Sequence, residues 1–186
     1  MTEEQAENLV GALALALCDR MQEAVTAASG QAASSAAALS VLRQFDIDPS
    51  VDLLGRILGL TSSGTVRLVD RLAAAGLVRR DVGGDGRVTT VRLTTAGRRA
   101  AARVTAARAA VLGGALRTLR PQERQQLGWL AGRVLAGMVR PPGAVRWTCR
   151  LCDTGACQRA AGHCPVASAS GFTPHQPGSA GPRPGA

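Results

Sequence analysis

Three short helical patterns, an ordered helix-strand-tip-strand-helix run from Thr61 to Gly97, and long apolar helical patterns at both ends of residues 1–140 predict the fold class. It is mainly α with a small β-wing, a winged helix-turn-helix with N- and C-terminal dimerisation helices. The run reads TSSGTVRLVDRLAAAGLVRRDVGGDGRVTTVRLTTAG, in which every element follows the last without a spacer. That succession separates a wing from an isolated amphipathic helix beside a solvated hairpin.

Residues 5–28 carry Leu9, Leu13, Ala16, Leu17 and Met21 along one wide apolar stripe, and Gly30 ends the pattern. Cys18 lies in that stripe and is expected in a core, because free cysteine behaves as a small hydrophobe. A second helix covers about Ser34 to Phe45, Pro49 and Ser50 open a third that runs through Leu58, and Gly59-Leu60 form the turn that follows.

Thr61 is placed to cap the next helix, Ser62 to Ala75, whose Val66, Val69, Leu72 and Ala73 recur at three- and four-residue spacing and so face a core. The opposite face carries Ser62, Ser63, Thr65, Arg67 and Arg71, side chains able to donate hydrogen bonds to base edges or phosphates in a major groove. Gly76 is a left-handed C-cap candidate. Leu77 and Val78 then begin an extended segment that resumes at Val88 and alternates through Val91 and Leu93. The tip between them, VGGDGR, holds three glycines that permit positive backbone angles, and Arg79, Arg80, Arg87 and Arg92 make the hairpin cationic on both sides.

Thr94 or Thr95 caps a helix to about Leu119, Pro121 interrupts it, and another runs to about Val139 before Pro141-Pro142. Leu112, Leu116, Leu119, Leu127, Leu130, Val134, Leu135 and Met138 need partners that a small domain does not supply. A homodimer with interleaved terminal helices buries them, and two-fold symmetry presents two reading helices to successive major grooves.

Charge supports the same reading. The formal net charge is +9, and it is unevenly spread: residues 1–60 hold three Arg against eight acids, whereas residues 61–120 hold twelve Arg against three Asp. A basic half that contains the hairpin is the footprint of a polyanion-binding surface, with affinity that falls steeply as salt rises. Aromatic residues are 2% of the chain, too few to stack unpaired bases, so double-stranded DNA is favoured. There is neither a long apolar span nor a signal peptide, which predicts a cytoplasmic protein with no membrane partner. Catalysis is not expected. The sequence holds no phosphate-cradling loop ending in Lys, no paired histidines at helical spacing and no serine elbow, and His163 beside Cys164 in a short loop lacks the support that a nucleophile and base require.

The segments LGLTSSGTVRLVDRLAAAGLVRR, DGR and LTTAG together resemble the multiple antibiotic resistance regulator (MarR) family over about residues 5–140. The resemblance implies a dimeric winged-helix transcriptional regulator, a repressor, whose helix Ser62–Ala75 reads the major groove. It further implies that Arg87 enters the minor groove, that Asp85 orients Arg87, and that a small-molecule effector in the cleft between dimer helices and DNA-binding lobe weakens operator affinity. The family's wing commonly reads aspartate-arginine-arginine, and Gly86 stands at the middle position here.

A second signal lies beyond that region, in WTCRLCDTGACQRAAGHCP. Cys149, Cys152, Cys157 and Cys164, with His163 as an alternative fourth ligand, have spacing that can complete a tetrahedron around Zn2+. An iron-sulfur cluster and oxidation-sensitive thiols fit the same residues, and the site would then be a metal or redox input to DNA binding. Arg146, Arg150 and Arg159 stand close enough in sequence to act on the thiols. The expected organisation is a winged-helix domain over 1–140, comprising a DNA-binding lobe (30–97) and dimerisation helices (5–28 and 95–139), then a metal knuckle (147–166) and a disordered tail (167–186). A non-specific architectural DNA-binding protein is the alternative function.

Overall fold

The computed structural model describes residues 1–45, 47–82, 89–139 and 144–171. Eight α-helices and two strands are placed among them: α1 (Glu3–Ser29), α2 (Ala33–Gln44), α3 (Val51–Leu58), α4 (Ser62–Ala74), β1 (Val78–Val82), β2 (Thr89–Leu93), α5 (Thr95–Ala115), α6 (Pro121–Met138), α7 (Ala144–Thr148) and α8 (Pro165–Ala169). A mostly helical chain with one small antiparallel sheet is the expected fold class.

The caps explain the boundaries. Thr2, Ser50, Thr61 and Thr94 each turn a side-chain oxygen onto a backbone N–H of the first turn of α1, α3, α4 and α5. Gly30 and Gly59 close α1 and α3 in the left-handed region, with φ of 65° at each.

One core holds α2, α3, α4 and the sheet together as a lobe. Leu39, Val41, Leu54, Leu68, Val69, Leu72, Val78 and Val91 pack as a single cluster between α2, α3, α4 and the sheet. Each such leucine contributes roughly 1.5–3 kcal/mol by leaving water, so the lobe is fixed internally. Helix α1 packs chiefly on α5. There Val25, Ala36 and Val104 make a smaller cluster, and the Arg103 guanidinium caps the end of α1 by donating to the Ala28 carbonyl at 2.9 Å.

The sheet pairs Val78 with Leu93 and Arg80 with Val91. A further bridge joins Ser50 to Thr90, with the Val91 N–H donating to the Pro49 carbonyl at 2.9 Å, so the segment before α3 acts as a third edge. Sequence reading did not find this edge, because Pro49-Ser50 reads only as a helix start.

Where the wing meets α5, the Leu93-Thr94-x-x-Gly97 pattern has a physical reason. Thr94 Oγ1 accepts from the Gly97 N–H at 3.0 Å and donates to the Gly76 carbonyl at 2.7 Å. Any Cβ on Gly97 would run into the Leu77 backbone carbonyl. Glycine there is a packing requirement.

Two expectations for the terminal regions change. Cys18 is exposed rather than buried, because α1 offers α5 another face and leaves Leu9, Leu13 and Cys18 toward solvent in the single chain. Residues 167–169 belong to α8, in which Val166 and Ala167 are buried, so order extends past the expected start of the tail. Residues 172–186 lie outside the described residues.

Candidate nucleic-acid interface

Helix α4 is held against α3 by its buried face and offers the other to solvent. The buried face is Thr65, Leu68, Val69 and Leu72. Counted at 3.6 residues per turn, Thr65 lies in the middle of the arc set by the other three, and Val66 lies more than a quarter-turn away. The expected reader Thr65 is therefore a core residue, 1% exposed, while Val66, expected in the core, is 43% exposed. Thr65 Oγ1 donates to the Thr61 carbonyl at 2.9 Å. It also abuts Gly55 of α3, where a Cβ would sit 2.5 Å from that oxygen, so Gly55 is what lets α3 and α4 approach.

Ser62, Ser63, Arg67 and Arg71 are all exposed on the outer face of α4, with Val66 among them. Thr61 accepts from the Gly64 N–H at 3.2 Å, which fixes the first turn and the direction in which Ser62 and Ser63 project. This end of the helix gathers hydroxyl donors, while Arg67 and Arg71 follow one and two turns further along. Phosphate and base-edge acceptors suit both groups.

The hairpin arginines are exposed and lightly tethered. Arg80 bonds Asp70 of α4 at 2.8 Å, Arg79 bonds Asp81 at 3.2 Å, and Arg92 reaches Asp48 and Asp81. Ion pairs this exposed are worth about 0–1 kcal/mol, so exchange for phosphate costs little. The Arg80–Asp70 pair joins the hairpin to α4. Beside the base of the hairpin, Arg43, Arg79, Arg92 and Arg98 surround a cleft of about 340 Å³. Arg43 carries no signal in the sequence because α2 is distant from the wing in the chain, whereas Arg98 follows β2 closely and is held at the hairpin base by donating to the Leu93 carbonyl at 3.1 Å. The expected wing residues Asp85 and Arg87 lie outside the described residues.

The cysteine segment docks on this lobe. Cys149 and Cys164 are buried in one cluster with Val139, Val145, Val166 and Ala167, and Cys152 packs against it. The thiols meet in series: Cys149 with Cys152, Cys152 with Cys157, and Cys157 with Cys164. Among the described residues, no three His, Cys, Asp or Glu side chains are grouped as they stand to hold a metal ion. His163 points elsewhere, its Nδ1 lying 2.6 Å from Gln158 Oε1.

The series has a polarity. The hydrogen bond from Cys152 holds Cys149 below the ordinary thiol range against the opposing effect of burial. The same bond, reinforced by burial, pushes Cys152 up to about 11. Cys157 is raised further, first by its bond to Cys152 and then by burial. Arg159 favours the Cys149 thiolate, and Arg108 of α5 favours those of Cys152 and Cys157. Arg108 is 41 or more positions from these cysteines in the chain, so only folding brings it there. Of the other two expected arginines, Arg150 stacks over Trp147 at 4.1 Å, and neither it nor Arg146 is among the groups that act on a thiol.

Among the described residues no helix is long and apolar enough to cross a membrane. A MarR family model matches residues 29–88. No curated protein matches the sequence. Several solved structures share the fold. A MarR family protein from Bacillus stearothermophilus is 25% identical with a TM-score of 0.67, covering 75% of this chain and 99% of its own. A MarR family transcriptional regulator from Silicibacter pomeroyi is 27% identical with a TM-score of 0.53, covering 72% of this chain and 92% of its own. CouR from Rhodococcus jostii RHA1, bound to p-coumaroyl-CoA, is 20% identical with a TM-score of 0.51, covering 68% of this chain and 88% of its own. Residues 29–88 are thus a MarR-family winged-helix segment, carried on the fold of the solved MarR-family transcriptional regulators.

Proposed function

We propose that this chain is a homodimeric, sequence-specific repressor that binds double-stranded DNA through α4 and the wing and releases it when a small ligand binds. The observation that carries the DNA reading is the outer face of α4, where Ser62, Ser63, Arg67 and Arg71 stand clear of the core beside a hairpin rich in exposed arginine. Arg87 and Asp85 complete the wing by resemblance to the family, with the arginine drawn to the negative potential of a narrow minor groove.

The dimer is supported by α1 and α6. Helix α6 buries only Gly132 within its own chain and leaves Trp129, Val134 and Met138 exposed at 63%, 60% and 71%. A second copy is the occupant that fits, because a two-fold assembly covers both helices and sets two copies of α4 side by side.

Ligand response is supported by a cleft of about 400 Å³ between the terminal helices and the lobe, lined by Met21, Gln22, Ala37, Leu58, Arg108 and Trp147 among others. Arg108 and Arg150 at its wall suit an acidic ligand with an apolar body. The fold neighbour CouR, bound to p-coumaroyl-CoA, is consistent with that use of the fold.

The test is titration of the full chain against duplex DNA from upstream of its own gene, read by fluorescence anisotropy with and without excess random duplex. A repressor retains the labelled DNA at moderate salt under that competition. Loss of all binding to the competitor would identify an architectural coater instead.

A further inference from the structure

The cysteine segment touches the scaffold at one end and the reading lobe at the other. At the scaffold end, α8 begins directly after Cys164, and Pro165 lies so close to Gly132 of α6 that a Cβ there would sit 2.9 Å from its ring. At the lobe end, Trp147 covers Gly59, the left-handed residue between α3 and the cap of α4, with 2.8 Å from its ring to where a Cβ would stand. The loop between Cys152 and Cys157 is tied to the end of α2: the Thr154 N–H donates to Gln44 Oε1 at 3.0 Å and its hydroxyl to the Gln44 carbonyl at 3.2 Å. Gln44 in turn donates to Thr105 of α5 at 3.1 Å. Leu151, between the first two cysteines, packs against both the lobe core and the α1–α5 cluster. Arg159, 7% exposed, lies over the Phe45 ring at 4.6 Å.

This segment is too short and too polar to hold such a seat by apolar burial alone. Its own helices α7 and α8 have five residues each, and its buried apolar residues are few. Compact segments of this size are usually fixed by disulfides or a metal. Cys149 and Cys164 are buried in one cluster against which Cys152 packs, and a turn from Asp153 brings the chain round to Cys157, so the four thiols belong to one small region of the segment. Four thiolates from one short segment match the tetrahedral sulfur set that a single zinc ion takes. Four thiolates around a divalent ion leave net negative charge, and Arg108 and Arg159 face the thiols to offset it.

We propose that Cys149, Cys152, Cys157 and Cys164 bind one zinc ion, and that the zinc-folded segment is a strut whose seat on Gly59 and Gln44 holds the reading helix in its DNA-binding position. Zinc loss frees Trp147 from the turn into α4, and DNA affinity falls. The zinc site stands by itself, whereas its effect on affinity rests on the DNA-binding reading above.

The experiment uses the full chain purified without added metal. Elemental analysis should give about one zinc per chain, with no visible absorption. Cys152→Ser should lose the zinc. Removal of zinc by a thiol-directed mercurial or a chelator, followed by anisotropy titration with the upstream duplex, should weaken binding roughly 5–150-fold, and zinc alone should restore it after the chelator. Trp147→Ala keeps all four ligands. It should retain the zinc and lose most of the difference between zinc-loaded and zinc-free affinity, with helical circular dichroism unchanged. Iron with visible absorption, or no metal, overturns the ion assignment. One zinc with equal affinity in both states overturns the strut. No DNA binding in either state overturns the DNA reading and the strut with it, while the zinc count still judges the ligand set.

Discussion

Helices α4 and α6 carry apolar residues at the same helical spacing, and they end in opposite situations. Helix α4 places Leu68, Val69 and Leu72 wholly inside its own lobe and turns its arginines outward. Helix α6 is longer, yet it leaves Trp129, Leu130, Val134 and Met138 exposed. Amphipathic periodicity specifies that a face must be covered and says nothing of which chain covers it. In the lobe, α2, α3 and the sheet converge on α4; among the described residues, no element of the same chain except α8 meets α6 broadly.

The comparison can be broken at its strongest point first. Leu72→Ala opens a cavity in the lobe and should cost about 2–5 kcal/mol of stability, measured by chemical denaturation. An equal loss from Leu130→Ala in a monomeric state would show that α6 has an intrachain core after all. Second, the double substitution Val134→Asp and Met138→Asp should leave helical circular dichroism unchanged. It should convert the dimer to monomer in sedimentation analysis, and DNA affinity should fall by about 10²-fold as the two-site linkage is lost. Persistence of the dimer would place the interface elsewhere.

Third, Arg67→Ala or Arg71→Ala should weaken DNA binding by about 1–3 kcal/mol and lower the slope of log affinity against log salt by about one if a phosphate is contacted. Thr65→Ala is the matched control on the inner face of the same helix. It should cost about 1 kcal/mol of stability through its lost hydrogen bond and leave the salt slope unchanged. A changed slope would return Thr65 to the reading face.

The smallest effect sharpens a different pair, the two exposed cysteines. Cys157 is raised above the ordinary thiol range chiefly by its bond to Cys152. A raised thiol is protonated and unreactive below its own shifted value and gains reactivity only as pH climbs toward it. In the zinc-free chain, Cys18 should therefore be alkylated before Cys157 at neutral pH, by mass spectrometry after iodoacetamide treatment, with the gap narrowing in strongly alkaline buffer. Reversed order would remove the serial thiol contacts.

Much of the lobe was legible because its signals are local. Thr61, Ser50 and Thr94 cap helices through bonds that span three residues, and Gly76 adopts the left-handed angle expected of it, as do Gly30 and Gly59 where the chain leaves α1 and α3. On α4 residue type misleads: Val66 is more apolar than Thr65, yet the angular position of Leu68, Val69 and Leu72 favours Thr65 for the core. The arginines of the wing were legible as a charge cluster, but their pairing with Asp70 and Asp48 joins elements distant in sequence.

The sequence by itself determined the order of elements, the caps, the wing and the existence of four clustered thiols, since each depends on residues within one or two turns of one another. Tertiary structure alone decided that Gly55 and Gly97 are contact points, that Arg108 faces the cysteines, and that their segment spans from Gly132 to Gly59. Those facts depend on which surfaces meet, and surfaces meet through burial summed over the whole core, a quantity that no local window of the chain contains.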